Sequence, residues 1–246
     1  MRIAIVTAYY KEDQGTLMRC IESVRNQTIA CDHYLVSDGF PQDWLDHVGV
    51  RHVRLGQNAR DYGNTPRAIG SALAISAGYD AIAPLDADNW LDPDHVELCL
   101  NAARTQYDRM EDCDYVIAKR RFIRPDMSIM PLGDEKDHID TSCYFYLPGS
   151  YHLLHYWGLM PQQISGIGDR VIGNTIKLQK LNAAHVAETT VNYLNLWTSS
   201  YQILGETPPP EAKPNIDVEG IKDWYLALSD RKKQIVDRQI GFKFLA

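Results

Sequence analysis

Short apolar runs alternate with amphipathic segments along the first half of the chain. Runs with the length and β-branched content of buried strands occur at 3–7, 33–37, 51–55, 81–85 and 115–118. Helical spacing of apolar residues follows the first run, and further helices are predicted over 65–78 and from Asp92-Pro93 to about Tyr107. Strands and helices that alternate with short connections predict an α/β fold with a doubly wound, mostly parallel sheet.

The second half of the chain has a different pattern. It predicts a β-hairpin over 122–130, a strand over 141–147 and a helix over 168–181, and Tyr193, Trp197 and Tyr201 recur at helical spacing. A proline-rich linker at 207–214 leads to a final amphipathic helix over 217–239. We therefore expect a main domain at 1–190 with a small antiparallel β region, and a C-terminal extension at 191–246 packed on or beside it.

Polar residues stand where three of the predicted strands end. These are Thr7, Asp38 and the triplet Asp86-Ala87-Asp88. Because open parallel sheets bind ligands beside the carboxyl ends of their strands, one crevice can collect all of them. Two carboxylates this close suit a hard divalent cation, and such a cation can neutralise a diphosphate. A solvated acidic turn is the alternative interpretation of the triplet.

Three charged residues outside the triplet are candidates for binding or catalysis. Asp38 can accept hydrogen bonds from a ribose or a base, although capping of a turn explains it equally well. Arg67, near Asn64, has the planar fork that suits a diphosphate, but a surface arginine on the first helical turn is the alternative. Asp169 begins a helix after a glycine-rich turn, where it either caps that helix or acts as a general base.

Aromatic and histidine side chains are weaker candidates. A cluster of aromatic residues at 144–157 suits the apolar face of a sugar ring, although packing in the core explains most of it. The eight histidines form no zinc-binding pattern. His185 is a conceivable additional metal ligand, with a core or surface role as the alternative.

Composition narrows the classes of partner. The 246 residues are 45% hydrophobic and 23% charged, which is typical of a globular protein. With 32 acidic against 25 basic residues the net charge is −7, so the chain lacks the basic footprint of a nucleic-acid-binding protein. The sequence also lacks the motifs of NAD-binding Rossmann domains, P-loop enzymes and α/β-hydrolases.

Cysteine spacing and the length of apolar runs indicate the cellular compartment of the protein. The five cysteines lie far apart without a CxxC motif, which is typical of reduced thiols in a cytoplasm. The N-terminal apolar run is too short for a signal peptide, and no stretch is apolar enough to span a membrane. We expect a cytoplasmic protein without a transmembrane segment. Peripheral contact with the inner face of the membrane and oligomer formation both stay open.

The ordered set of motifs resembles the opening of a family 2 glycosyltransferase with the GT-A fold. The segments that carry the resemblance are 5–10, 23–28, 36–39 and the Asp86-Ala87-Asp88 triplet, which has the DxD form. A looser match extends over 140–206, through Asp140-Thr141-Ser142 and Gly168-Asp169. The resemblance implies a nucleotide-diphosphate sugar as donor, Mn²⁺ or Mg²⁺ as cofactor, and inversion at the anomeric carbon.

The resemblance also implies roles for individual residues. Thr7, Ala8 and Tyr9 would line the nucleotide pocket, and Asp38 would meet the base or the ribose. The remaining donor-side residues would be Asn64, Arg67, Asp86, Ala87 and Asp88, with Asp86 on the ribose or a metal-bound water and Asp88 on the metal itself. Asp169 matches the acid of the family's Glu-Asp catalytic pair and would be the base, although Gly168 replaces the glutamate.

The function expected from the sequence is therefore metal-dependent glycosyl transfer. UDP is the default nucleotide, and the acceptor is the hydroxyl of a carbohydrate, a lipid-linked molecule or another compound. A non-catalytic nucleotide- or carbohydrate-binding relic of the same fold is one alternative. A sugar-nucleotide pyrophosphorylase is another, although residues 8–16 do not supply the glycine-rich, arginine-containing loop that it needs.

Overall fold

The computed structural model describes residues 1–133 and 138–245. In these residues eight strands form one sheet, in the order β3-β2-β1-β4-β7-β6-β8-β5. The strands β1 to β8 are Ile3–Tyr9, Asp32–Ser37, Arg51–Val53, Ala81–Pro84, Trp90–Leu91, Tyr115–Ile123, Tyr144–Tyr146 and Ala183–Leu194. The helices α1 to α8 are Gln14–Arg25, Asn64–Ser76, His95–Asp108, Tyr156–Leu159, Gly168–Gln179, Thr198–Leu204, Val218–Leu226 and Asp230–Ile240.

The first half of the sheet confirms the expected α/β fold. Strands β3, β2, β1 and β4 are all parallel, which requires a crossover connection between paired strands. Strand β1 is buried on both faces: Ile3 and Ile5 join the apolar cluster under α1 and α3, while Ala4 and Val6 join the cluster on the opposite face. The carboxyl ends of these strands consequently lie along one edge of the sheet.

A single glycine lets α2 pack tightly onto this sheet. A Cβ atom at Gly70 would lie 2.6 Å from Cγ1 of Val6 and 2.9 Å from Cγ2 of Val36, closer than carbon atoms can approach. The backbone of α2 is therefore in direct contact with β1 and β2. Arg67, one helical turn earlier, is carried by this packing to the edge of the sheet.

Strand β8 completes the sheet and was not predicted. It pairs in parallel with β6 along nearly its whole length, with shifts of register near Lys119, and antiparallel with the short β5. The helical spacing of three aromatic residues is not one helix, because Tyr193 belongs to β8 and α6 begins only at Thr198. The pairing with a strand sixty-odd residues earlier leaves no local signal. The expected domain boundary at 190 falls inside β8, and that division stays a prediction.

The antiparallel region is close to expectation but shorter. The hairpin over 122–130 is confirmed by bonds from Arg124 N to Ser128 O and from Met130 N to Phe122 O. The strand predicted over 141–147 is reduced to β7, since Thr141–Cys143 forms a 3-10 turn. The Asp140 side chain caps that turn by accepting a 2.9 Å bond from Ser142 N.

The predicted final helix over 217–239 is two helices. The first, α7, ends at Leu226, and Ser229 adopts an extended conformation just before α8. A serine followed by an aspartate is a typical helix start, so the sequence itself contains the break. Within the described residues, no helix is both long and apolar enough to cross a membrane, and no disulfide joins the five cysteines.

Candidate active site

A cleft of about 910 Å³ opens at the carboxyl ends of the parallel strands. All of the predicted site residues except one line it: Ala8, Tyr9, Asp38, Asn64, Arg67, Asp86, Ala87, Asp88 and Asp169. The exception is Thr7, which is fully buried and has its hydroxyl 2.8 Å from Nε2 of His33. The topology therefore collects side chains from widely separated parts of the chain, as the strand-end argument required.

Asp86 is held by a buried arginine. Nη2 of Arg67 donates to Oδ1 of Asp86 at 2.7 Å, and Nη1 donates to Oδ1 of Asn64 at 3.0 Å. The guanidinium also lies over the Trp157 ring, 4.6 Å from its centroid. Arg67 is only 5% exposed, so it is not the surface arginine that was the alternative. Its fork is already directed at the Asp86 carboxylate, and Arg67 itself also lines the cleft.

Asp88 lies deeper and has a different partner. Its Oδ2 atom is 3.5 Å from Nζ of Lys213, which comes from the C-terminal segment. Burial raises the pKa of Asp88 to about 6, with Lys213 opposing the shift and Asp86 adding to it. Arg19 fixes the backbone here by donating to the carbonyl of Asp88 at 3.1 Å.

Ser142 and Asn89 hold the turn that carries the aspartate triplet. Ser142 Oγ accepts from the backbone N–H of Asp86 at 3.1 Å and from Nδ2 of Asn89 at 3.0 Å. Oδ1 of Asn89 in turn accepts from the N–H of Leu194 at the end of β8. Asn89 is fully buried, so its contribution is to tie the triplet to the neighbouring strands.

The two carboxylates of the triplet suit a cation that a bound diphosphate also coordinates. Among the described residues no group of three or more His, Cys, Asp or Glu side chains is close enough together to hold a metal ion. Mg²⁺ is commonly bound by one or two carboxylates together with phosphate oxygens and water, and Asp86 with Asp88 matches that pattern. His185 lies exposed on β8 and does not line the cleft, so it is not the additional ligand considered from the sequence.

Asp38 follows β2, which is separated from β4 and its aspartate triplet by β1. Its Oδ1 atom accepts a 2.7 Å bond from the N–H of Ala59, and its own N–H donates to the carbonyl of Tyr9 at 2.6 Å. Burial raises the pKa of Asp38, and the nearby Asp61 raises it further, against the Ala59 bond. One oxygen thus performs the capping role. The carboxyl group as a whole still lines the cleft.

The loop before α2 contributes a residue that sequence reasoning missed. Asp61 lines the cleft, and its Oδ2 accepts from the N–H and hydroxyl of Thr65. Its Oδ1 is buried without a hydrogen-bond partner in the described part of the chain. Arg60, Tyr62 and Gly63 have φ angles of 57°, 58° and 78°, so the loop turns sharply against the cleft.

Asp169 forms a pair with a histidine that the sequence did not single out. Oδ2 of Asp169 is 2.5 Å from Nε2 of His138, and Oδ1 accepts from the N–H of Arg170 at 2.7 Å. Burial alone would raise the pKa of Asp169, but the His138 hydrogen bond and charge outweigh it and lower the pKa. The same hydrogen bond raises the pKa of His138 against the effect of its burial. No periodicity marks His138, which lies two positions before Asp140.

A second buried ion pair forms the floor of the cleft. Asp140 Oδ2 is 3.3 Å from Nη1 of Arg120, whose guanidinium lies 4.7 Å from the Phe122 ring centroid and 5.2 Å from that of Tyr193. Burial raises the pKa of Asp140, an effect that Arg120 opposes. Sequence reasoning named Asp140 only as part of a resemblance and missed Arg120 altogether, because a charged residue inside β6 looks solvent-facing until its partner is known.

The aromatic cluster divides between core and cleft. Tyr144 and Tyr146 are 1% and 0% exposed and stack on each other in the core. Tyr193 and Trp197 instead line the cleft, and the indole N–H of Trp197 donates to the Tyr193 hydroxyl at 2.8 Å. Tyr9, Tyr10, Tyr62, Phe122 and Trp157 also line the cleft, so its aromatic lining comes from both halves of the chain.

The sequence profile described as "Glycosyl transferase family 2" matches residues 4–146 of the chain. That range runs from the second residue of β1 to the end of β7 and contains the aspartate triplet, and it is more than half of the chain. The protein therefore belongs to glycosyl transferase family 2, which confirms the resemblance found in the sequence and makes it a member of an enzyme family.

Two curated relatives are chondroitin synthases. The chain is 29% identical to that of Pasteurella multocida (strain Pm70) over 138 residues, which are 54% of this chain and 14% of the relative. It is 34% identical to that of Escherichia coli over 93 residues, which are 36% of this chain and 13% of the relative. The chain thus spans about one seventh of the length of the curated relatives that it matches.

Solved structures share the fold across nearly the whole chain. Staphylococcus aureus TarS 1–349 in complex with UDP-GlcNAc has a TM-score of 0.63 at 11% identity, covering 98% of this chain and 72% of that one. GalNAc-T7 with UDP, GalNAc and Mn²⁺ has a TM-score of 0.58 at 15% identity, covering 78% and 44%. The fold is therefore the expected GT-A type.

The His138–Asp169 pair predicts a specific titration behaviour. In the wild type the pKa of His138 should lie above the ordinary value of about 6.5, because the carboxylate stabilises the imidazolium. In Asp169→Asn the stabilising charge is gone and burial remains, so the pKa of His138 should fall below that value. NMR titration of the His138 ring protons measures both values.

A matched control tests whether the shift is local. Asp230→Asn removes an exposed carboxylate at the start of α8 and should leave the His138 titration unchanged. An unaltered His138 pKa in Asp169→Asn would contradict the pairing described here.

Proposed function

We propose that the protein transfers a sugar from a UDP-sugar to an acceptor hydroxyl in a reaction that requires a divalent cation and inverts the anomeric carbon. The observation that carries this proposal is the single cleft lined by Asp38, Asp86, Asp88 and Asp169 at the ends of parallel strands. Family membership supports the reaction class. The UDP and UDP-sugar complexes of proteins with the same fold support the choice of nucleotide.

We assign the donor nucleotide to two groups of residues, those around Asp38 and those of the aspartate triplet. Asp38 would accept hydrogen bonds from the nucleoside, with Ala8 and Tyr9 forming the wall beside it. Asp88 would ligate the cation and Asp86, fixed by Arg67, would support it as a second ligand or through a bound water. The cation, when bound, offsets the negative charge that develops on the leaving diphosphate.

The acceptor side of the reaction depends on Asp169. The bond between the anomeric carbon and the β-phosphate oxygen breaks, and its electron pair leaves with the UDP. An acceptor oxygen attacks the opposite face of the sugar, and its proton passes to the carboxylate of Asp169. His138 would hold that carboxylate ionised and oriented.

The acceptor-side wall contains the aromatic pair Tyr193 and Trp197. Flat aromatic faces pack against the apolar face of a sugar ring, while polar tips satisfy its hydroxyl groups. This chemistry favours a carbohydrate or lipid-linked glycan as the acceptor. The curated relatives are named as chondroitin and hyaluronan synthases, which supports a carbohydrate acceptor without identifying its sugars.

Nucleotide binding tests the proposed donor site. UDP should bind in the presence of Mn²⁺, and Asp88→Ala should weaken that binding at least about tenfold, equal to about 1.4 kcal/mol, because the cation that bridges protein and diphosphate is lost. Calorimetric titration with and without Mn²⁺ measures the affinity, with GDP as the competing nucleotide. Asp126→Ala, an exposed acid of the 122–130 hairpin turn, is the matched control and should bind UDP as the wild type does.

The outcomes separate the proposal from its alternatives. Absence of nucleotide binding in the wild type would contradict the donor site. Nucleotide binding without turnover of any donor would favour the non-catalytic relic. Formation of a UDP-sugar from UTP and a sugar phosphate would favour the pyrophosphorylase.

Turnover of an Asp169 variant tests the proposed base. Asp169→Asn should lower turnover by about 10²-fold to 10⁴-fold, because no carboxylate remains to accept the proton of the attacking hydroxyl. UDP affinity should stay within about twofold, since the carboxyl group is assigned to the acceptor and not to the nucleotide. Donor consumption under saturating UDP-sugar measures the first quantity and calorimetry the second. Full activity in this variant would require a different base.

A further inference from the structure

The proline-rich segment 207–216, called here the C-terminal strap, is fastened across the edge of the cleft. Lys213 N donates to the carbonyl of Leu196 at 2.7 Å, and the Lys213 carbonyl accepts from the N–H and hydroxyl of Thr198 at 3.0 and 2.9 Å. Asn215 accepts from the N–H of Ser199 at 2.8 Å. A linker between two helices does not need such bonds. They fix the backbone of Lys213 in one position.

This backbone position places the Lys213 ammonium beside the aspartate triplet. Its Nζ atom is 3.5 Å from Oδ2 of Asp88 and 5.9 Å from the centroid of the Trp197 ring. The Lys213 side chain is 50% exposed, so its end can turn while its backbone stays fixed. Lysine is a compact, mobile positive charge, in contrast to the planar fork of arginine.

Two arginines that line the cleft near the triplet are already committed to carboxylates. Arg67 contacts Asp86 at 2.7 Å with its side chain 6% exposed, and Arg120 contacts Asp140 at 3.3 Å with its side chain 3% exposed. Turning either arginine toward a ligand would separate a buried guanidinium from its carboxylate, which is costly. Lys213 has the longest of these three contacts and the most exposed side chain, so it can exchange partners at the lowest cost.

We propose that Lys213 is a ligand of the donor diphosphate. This inference rests on the proposed function and adds a residue from outside the part of the chain that the family profile covers. In the empty cleft the ammonium neutralises Asp88. When the donor arrives, the ammonium turns to the diphosphate oxygens, and the Asp88 carboxylate becomes available to the cation. The strap thus supplies a second positive charge for the leaving UDP.

The test compares UDP with uridine, which lacks the diphosphate, in Lys213→Met. UDP affinity should fall about tenfold to a hundredfold, the range expected for loss of a charge-assisted hydrogen bond. Uridine affinity should change less than about twofold. Lys213→Arg should retain most of the UDP affinity because it restores the charge. The UDP deficit should persist in EDTA, since Lys213 contacts the diphosphate directly and not through a metal ion.

Controls separate this role from a structural one. Lys222→Met removes an equivalent charge from the exposed face of α7 and should bind UDP as the wild type does. Circular dichroism and thermal unfolding of Lys213→Met should match the wild type if the strap stays in position, since its bonds are made by the backbone.

Two results would overturn the inference and leave the proposed function standing. Equal UDP affinity in Lys213→Met and wild type would make Lys213 a neutralising contact only. Tighter UDP binding in Lys213→Met would make it a plug that the donor must displace. Failure of the wild type itself to bind UDP would overturn the proposed function, and this inference with it.

Discussion

The ion pair between Arg67 and Asp86 is the interaction on which the geometry of the site depends. It joins the first turn of α2 to the end of β4. The guanidinium also donates to Asn64 and lies over the ring of Trp157, and these contacts hold it in place. Gly70 lets α2 lie against β1 and β2 without a side chain between them, which brings Arg67 close to the end of β4. Without the Asp86 carboxylate, Arg67 would be a buried and unpaired charge. The pair therefore fixes the arginine as well as the aspartate. The first carboxylate of the triplet is thereby fixed before any ligand arrives.

The second carboxylate is placed by the opposite half of the chain. Ser142 and Asn89 anchor the turn of the triplet to β7 and β8, and Lys213 approaches Asp88 from the C-terminal strap. Asp86 is rigid and Asp88 has an exchangeable partner. This difference suits a site that must admit a charged donor and release a more highly charged product. The GT-A fold supplies the common edge, and the chain's own C-terminal segment supplies the adjustable charge.

Local patterns were sufficient for the parallel half of the fold and for most of the residues that line the cleft at its edge. Short apolar runs that end in Asp38 and in the Asp86-Ala87-Asp88 triplet predict both the strands and the residues at their ends, because strand direction fixes where such ends meet. Thr7 belongs to the same pattern, yet its side chain points into the core and bonds to His33, since adjacent residues of a strand face opposite sides. His138, Arg120 and Lys213 carry no periodicity. Each reaches the cleft through pairing or loop contacts between distant segments, which a single sequence does not record.

In the proposed reaction, the triplet at the end of β4 holds a cation and a nucleotide diphosphate in one cleft. Crystals grown with UDP and Mn²⁺ test it most directly, with anomalous diffraction recorded above the manganese absorption edge. We expect one strong anomalous peak within bonding distance of an Asp88 carboxylate oxygen and of the UDP diphosphate, with the base beside Asp38. A manganese peak away from Asp86 and Asp88, or UDP bound outside this cleft, would contradict it.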